Sequence, residues 1–151
     1  MTDKHYVQVQ TILPPMPCQW SVGPFMERFY LDLAKKKITG VKCKKCGTVY
    51  VPPRAFCSEC NQKLKKFVGV KASGEVTNYT VAYQNVNGSR REKPILIALI
   101  KLDGADTEVF GELRDVPPGE LAIGLRVKAV FAEPPGVTVA AISHFAPAGK
   151  K

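Results

Sequence analysis

The sequence predicts a mainly β protein in three parts: an N-terminal arm with one helix, a small metal-stapled ribbon, and a closed five-stranded barrel. Three observations carry this prediction. Four cysteines fall in two close pairs, Cys43-x2-Cys46 and Cys57-x2-Cys60. Residues 25–38, FMERFYLDLAKKKI, have the helical period. From Gly74 onward, short runs rich in Val, Ile, Thr and Tyr alternate with turn signals.

The first part spans residues 1–40. Its arm, residues 1–24, contains Pro14, Pro15, Pro17 and Pro24 beside Gly23, which argues for extended chain over helix. The arm also carries Tyr6, Val7, Val9, Ile12, Leu13 and Trp20, more apolar surface than a spacer needs. It is therefore expected to lie along another surface, its own domain or a partner. In the helix that follows, Phe25, Phe29 and Ala34, with Tyr30 and Leu33 beside them, form one apolar stripe. Lys35, Lys36 and Lys37 gather at the C-terminal end, where they favour the helix dipole, and Gly40 is expected to supply the stop.

The ribbon is assigned to residues 41–72. Each C-x2-C pair fits a knuckle, a tight turn whose backbone N–H groups point at thiolate sulfurs. Gly47 and Asn61 follow the second cysteine of each pair, where such a turn favours a residue that tolerates positive φ. Four sulfurs from Cys43, Cys46, Cys57 and Cys60 suit tetrahedral Zn²⁺ at about 2.3 Å per Zn–S bond. Between the knuckles, Val49-Tyr50-Val51 reads as a short strand ended by Pro52-Pro53. A segment this small cannot build an adequate core, so the metal must supply its stability. A closed four-thiolate site has no open coordination position, which makes the zinc structural and not hydrolytic. Iron in a rubredoxin-like S4 site is the alternative. Two disulfides would need an oxidising compartment, and Met1 to His5 lead into no apolar segment of signal type, so a cytoplasmic location is expected. No apolar run is long enough to span a membrane as a helix. Cys18 has no partner at ligand spacing and reads as a packed or partly exposed thiol, not a nucleophile.

In residues 73–151, strands are predicted at 75–84, 95–102, 107–113, 125–132 and 137–145. Turn signals separate them at Asn87-Gly88, Asp103-Gly104, Pro117-Pro118-Gly119 and Glu133-Pro134-Pro135-Gly136. The longest apolar run, Ile95 to Ile100, fits a buried strand. Five strands with no long helix indicate a small closed barrel, and five is the strand number of the OB-fold. Strand number alone does not separate it from an SH3-like barrel.

Charge is unevenly divided. Residues 1–72 hold thirteen Lys and Arg against four Asp and Glu, whereas residues 73–151 hold nine against nine. The excess positive charge thus lies wholly in the N-terminal half, and implies a face that attracts an anion: nucleic acid, a nucleotide phosphate or an acidic partner.

The chain resembles a family of zinc-ribbon/OB-fold acyl-CoA-associated proteins, small accessory subunits of thiolase-type enzymes. The likeness runs from about Phe25 to Pro147. It rests on F-x3-F-Y at Phe25–Tyr30, C-x2-C-G-x2-Y-x-P-P-R-x-F-C-x2-C at Cys43–Cys60, and G-E-V-x2-Y-T-V at Gly74–Val81. It continues with A-L-I-K-L-D-G at Ala98–Gly104, I-G-x2-V at Ile123–Val127 and F-x-P-A at Phe145–Ala148. The arm is longer than the family pattern, and Phe67 stands where a tryptophan is expected after the ribbon. The resemblance implies an OB-fold barrel and a non-catalytic subunit. That subunit would help hold a coenzyme A thioester and join a thiolase-like catalytic subunit in a hetero-oligomer, by analogy two plus two.

Coenzyme A offers phosphates, an adenine and a long pantetheine arm, so its site needs cations and an apolar or aromatic surface. Arg54, Lys42, Lys44 and Lys45 are the candidate cations, Arg54 by a bidentate grip. Phe56, Trp20 and Phe29 are the candidate wall or stacking groups. No catalytic residue is assigned: His5 and His144 have no Ser or Cys nearby in sequence to suggest a triad. The rival function is single-stranded nucleic-acid binding by the OB-fold and ribbon, which the neutral charge of the barrel half disfavours. An iron-based electron carrier is the third reading.

Overall fold

A computed structural model describes residues 21–116 and 120–149. The arm up to Trp20, with His5 and Cys18, lies outside the described residues. Among those described are one α-helix, α1 (Gly23–Leu33), eight strands and a 3-10 turn, η1 (Val139–Ala141). Strands β1 (Ile38–Lys42), β2 (Val49–Tyr50) and β3 (Lys66–Val70) form a small antiparallel sheet in the order β2-β1-β3. Strands β4 (Ser73–Gln84), β5 (Arg90–Leu102), β6 (Glu108–Leu113), β7 (Arg126–Phe131) and β8 (Ile142–Pro147) close a barrel in the order β4-β5-β6-β8-β7. Closure uses one parallel contact, Leu113 with Phe145, between β6 and β8. The other neighbours in the barrel are antiparallel. The predicted class, one helix, a ribbon and a five-stranded OB-type barrel, is the observed one.

The helix is shorter than its periodicity implies. It ends at Leu33, and the chain turns over through residues 34–36, with Lys36 at φ 57°. The N–H of Lys36 donates to the Leu33 carbonyl at 2.8 Å, and that of Lys37 to Asp32 at 2.9 Å. Tertiary demand overrides the helical pattern here. Ile38 and Thr39 are β-branched, and Ile38 is buried in β1. The Thr39 hydroxyl donates to Asp32 Oδ2 at 2.7 Å and ties the strand to the helix end. Lys36 pairs with Glu133. Gly40 is therefore not a helix stop but a point of close approach: a Cβ there would lie 2.8 Å from the Tyr50 carbonyl oxygen and 2.9 Å from Val51 Cγ2.

Two strands depart from their predicted limits. β5 begins at Arg90, so half of the stretch between the two predicted strands, residues 90–94 of 85–94, is strand. A register shift between Ala82 and Gln84 places extra β5 residues opposite Tyr83 and accommodates Pro94, which cannot donate to a regular ladder. β8 begins at Ile142, because residues 139–141 form the 3-10 turn. The run Ile95–Ile100 is not wholly buried either. Ala98 and Ile100 are buried, while Ile95, Ile97 and Leu99 keep part of their surface exposed.

Burial is divided between two cores. The larger fills the barrel with Val76, Ile100, Leu102, Leu113, Val127 and Phe145, and takes in Phe29 and Leu33 of α1 and Val51 of the ribbon. The smaller joins Val41, Cys43, Tyr50, Cys57 and Leu64, with Phe25 packed against it. One amphipathic helix thus seats its first turn on the ribbon and its later turns on the barrel. Backbone and side-chain hydrogen bonds join the same two parts. Val49 N–H donates to Asp106 Oδ2 at 2.8 Å, and Val51 N–H to Thr107 Oγ1 at 2.8 Å.

Candidate metal centre and anion site

The four cysteine sulfurs converge as the spacing predicts. All four Sγ atoms lie within 4.8 Å of one another. Cys43 and Cys60 are 3.4 Å apart, Cys46 and Cys57 3.5 Å, and Cys46 and Cys60 3.9 Å. Tetrahedral Zn²⁺ with bonds of about 2.3 Å sets its sulfurs about 3.8 Å apart, so this donor set fits the ion. Each knuckle closes on its own backbone: Gly47 N–H donates to the Cys43 carbonyl at 3.1 Å, and Asn61 N–H to that of Cys57 at 3.0 Å. Gly47 at φ 83° and Asn61 at φ 56° take the left-handed conformation predicted for them.

The sulfurs differ as acids. The Tyr50 hydroxyl, 3.1 Å from Cys57 Sγ, is the main cause that holds the Cys57 thiol down to about 6. The Cys43 thiol is also lowered, chiefly by the backbone N–H of Cys46. Burial, reinforced by the neighbouring sulfur of Cys43, pushes Cys60 up to about 12. A cation entering this set would displace the remaining protons. Tyr50 also accepts from the Ser58 N–H at 3.2 Å, and its ring carries the Arg54 guanidinium 4.5 Å from the centroid.

Beside the metal centre the chain gathers cations. Lys42, Lys44 and Lys45 around the first knuckle meet Gln62, Lys63 and Lys65 after the second, about a cavity of ≈ 370 Å³. Lys63 and Lys65 also line an adjoining depression of ≈ 410 Å³, whose other walls include Phe25, Arg28 and Phe67. There the rings of Phe25 and Phe67 stack at 5.6 Å and 29°, with the Arg28 guanidinium 5.6 Å from the Phe67 centroid. A lysine cradle with a neighbouring aromatic shelf suits an anion that carries a flat ring.

Comparison with known proteins agrees with this anatomy. Residues 32–64 match the ChsH2 rubredoxin-like zinc ribbon domain, and residues 68–132 the ChsH2 C-terminal OB-fold domain. A DUF35 domain-containing scaffold protein of Methanocaldococcus jannaschii is 36% identical over 96 residues, 62% of this chain and 67% of that protein. The chain belongs to the DUF35 family. A second DUF35 domain-containing scaffold protein, from Methanothermobacter thermautotrophicus, is 32% identical over 98 residues, 62% of this chain and 71% of that protein. Among solved structures, a DUF35 protein of unknown function from Sulfolobus solfataricus is 30% identical with a TM-score of 0.62, over 72% of this chain and 78% of that one. A chain of the Ltp2-ChsH2(DUF35) aldolase shares the fold at 20% identity and a TM-score of 0.63, over 87% of this chain and all of that one.

The remaining candidates of this DUF35 chain fall in three different surroundings. Phe56 is 55% exposed and forms an isolated bridge with Lys63, which puts it next to the cradle. Arg54 is exposed on the Tyr50 ring. Phe29 is 4% exposed and belongs to the barrel core; it lines a different cleft, of ≈ 540 Å³, with Leu99, Val109, Phe110, Val139 and His144. The structure thus brings Lys42, Lys44, Lys45 and Phe56 together but sets Phe29 apart, and Trp20 is outside the described residues. Phe25, on the apolar stripe of the helix, is also readable from the sequence as a wall for a ligand, whereas Lys63, Lys65, Phe67 and Arg28 are not among the sequence candidates. Lys63 and Lys65 carried a signal, since alternate residues of an extended segment share a face. The Phe25–Phe67 stack joins residues far apart in sequence, and nothing local announced it.

Proposed function

We propose that this chain is the non-catalytic, zinc-containing subunit of a thiolase-type acyl-CoA complex, and that it holds the nucleotide end of the coenzyme A thioester. The lysine cradle beside the aromatic shelf carries the reading. Its cations match the 3′-phosphate and diphosphate, and Phe25 and Phe67 offer a face to the adenine. The relatives named as scaffold proteins, and the Ltp2-ChsH2(DUF35) aldolase, support a role beside an enzyme. In this role the zinc fixes the two knuckles and so the spacing of the lysines on them, while acyl transfer takes place on the partner.

Calorimetric titration with coenzyme A and with 3′-dephospho-coenzyme A tests this. Coenzyme A should bind more tightly than its dephospho form. Lys63→Glu with Lys65→Glu should weaken coenzyme A binding about tenfold or more without changing zinc content. Equal affinity for the two ligands, or undiminished binding by the double variant, would remove the cradle from the site. Tight oligonucleotide binding with a steep salt dependence would instead favour the nucleic-acid reading.

A further inference from the structure

The strands β4 and β5 are 12 and 13 residues long, yet the barrel uses only part of them. β4 pairs with β7 only over Ser73–Glu75, and β5 with β6 only over Leu96–Lys101. Residues 82–95 therefore form a two-stranded hairpin with no third strand among the described residues, its β5 side bulged at Arg91–Pro94 opposite Tyr83. An isolated two-stranded ribbon is marginal in water. This one nevertheless exposes apolar groups: Tyr83 is 58% exposed and Val86 fully so.

The charge on the hairpin is one-sided. Arg90, Arg91 and Lys93 stand against Glu92 alone, and among the described residues none of these three cations makes an ion pair. Arg91 Nε donates to the Gln84 carbonyl at 3.2 Å, which stiffens the ribbon and leaves the charge uncompensated. A second copy of the chain, meeting this element about a two-fold axis, would bring two basic tips together. The complement is a protein groove with apolar walls and an acidic rim.

We propose that the β4–β5 hairpin is a docking arm that inserts Tyr83 and Val86 into an acidic-rimmed apolar groove of the catalytic partner subunit. This deepens the accessory-subunit reading and rests on it for the nature of the partner, though not on the lysine cradle. Apolar anchors would supply most of the affinity, and the basic tip orientation and on-rate.

The test starts from the tagged full-length chain in its native host, with a photo-crosslinking residue at position 86 and, as a control, at position 59. The cross-linked protein is identified by mass, purified, and titrated against the wild-type chain, Tyr83→Ala, and Arg90→Glu with Lys93→Glu. The expected result is a cross-link from position 86 to an acyl-CoA enzyme subunit, at residues bordered by Asp or Glu. Dissociation constants should rise about tenfold or more for each variant, while coenzyme A binding by the free chain stays unchanged. If position 86 cross-links and the variants weaken binding but the partner is no acyl-CoA enzyme, the docking arm stands and the thiolase-type reading falls. The proposal is overturned if cross-links come only from position 59, if they join two copies of this chain, if the variants bind as wild type, or if no partner is captured.

Discussion

Tyr50 shows how much a single side chain does in this molecule. Its hydroxyl lies 3.1 Å from Cys57 Sγ and 3.1 Å from Ser58 Oγ, it receives the Ser58 N–H, and its ring supports Arg54. Groups that touch a metal ligand without touching the metal orient that ligand and tune its acidity. Tyr50→Phe keeps the ring and its packing but removes the hydrogen bonds. The variant is expected to bind Zn²⁺ about ten- to a hundredfold more weakly, in competition with a chromophoric chelator. The Cys57 thiol, held near 6 by that hydroxyl, should also titrate higher in the variant, so zinc binding should fall away at a higher pH on acidification.

At the scale of elements, Asp103 is the fastening. Arg126 in β7 donates to both its carboxylate oxygens at 2.9 and 2.6 Å, and Ser73 in β4 donates to Oδ2 at 2.6 Å. A turn residue after β5 thereby joins the starts of β4 and β7, which are antiparallel neighbours in the barrel. Arg126 first, then Ser73, lower the Asp103 carboxyl from the ordinary 3.8 to about 2. A depressed acid stabilises the fold fully above its unfolded value, and that stability is lost as pH falls through the folded one. Asp103→Asn should therefore be less stable than wild type in urea titrations at neutral pH. The gap should narrow below pH 3.8 and close near pH 2.

How far these elements were legible follows from the range of the forces that set them. The cysteine knuckles, Gly47 and Asn61 are local, and their spacing alone gave the metal centre. The barrel strands follow a two-residue period bounded by turns, and their number was readable, though β5 begins five residues before the apolar run because a bulge carries Arg91 to Pro94 in strand. The end of α1 departs from the helical pattern because Lys35–Lys37 favour helix, while the burial of Ile38 in a sheet with Val70, more than thirty residues away, decides the matter. The lysine cradle was half visible. Three lysines lie on the first knuckle, but their meeting with Lys63 and Lys65 depends on folding both knuckles around one centre.

For the whole molecule, two cores imply two responses to loss of metal. The ribbon core has few apolar groups and includes Cys43 and Cys57 themselves, whereas the barrel core is larger and contains no metal ligand. Chelation of zinc, or Cys57→Ser, should open the ribbon to proteolysis around residues 44–63 while the barrel stays folded. Hydrogen exchange should show fast amides in β2 and the knuckles but continued protection in β5 and β6. Simultaneous collapse of both would mean that the contacts of Val49 and Val51 with Asp106 and Thr107 make one cooperative unit.

The helix that straddles both cores also limits how this architecture can be recombined. A genetic exchange that moved only the barrel strands would leave a hole where Phe29 and Leu33 are seated, and large-to-small losses at such sites cost about 2–5 kcal/mol each. The smallest inheritable piece that includes an intact barrel therefore begins no later than Gly23 and carries the ribbon with it, because the ribbon lies between the helix and the strands in the chain. Ribbon and barrel are bound to travel together, and a gene fusion to an enzyme would join most readily ahead of the helix or after β8.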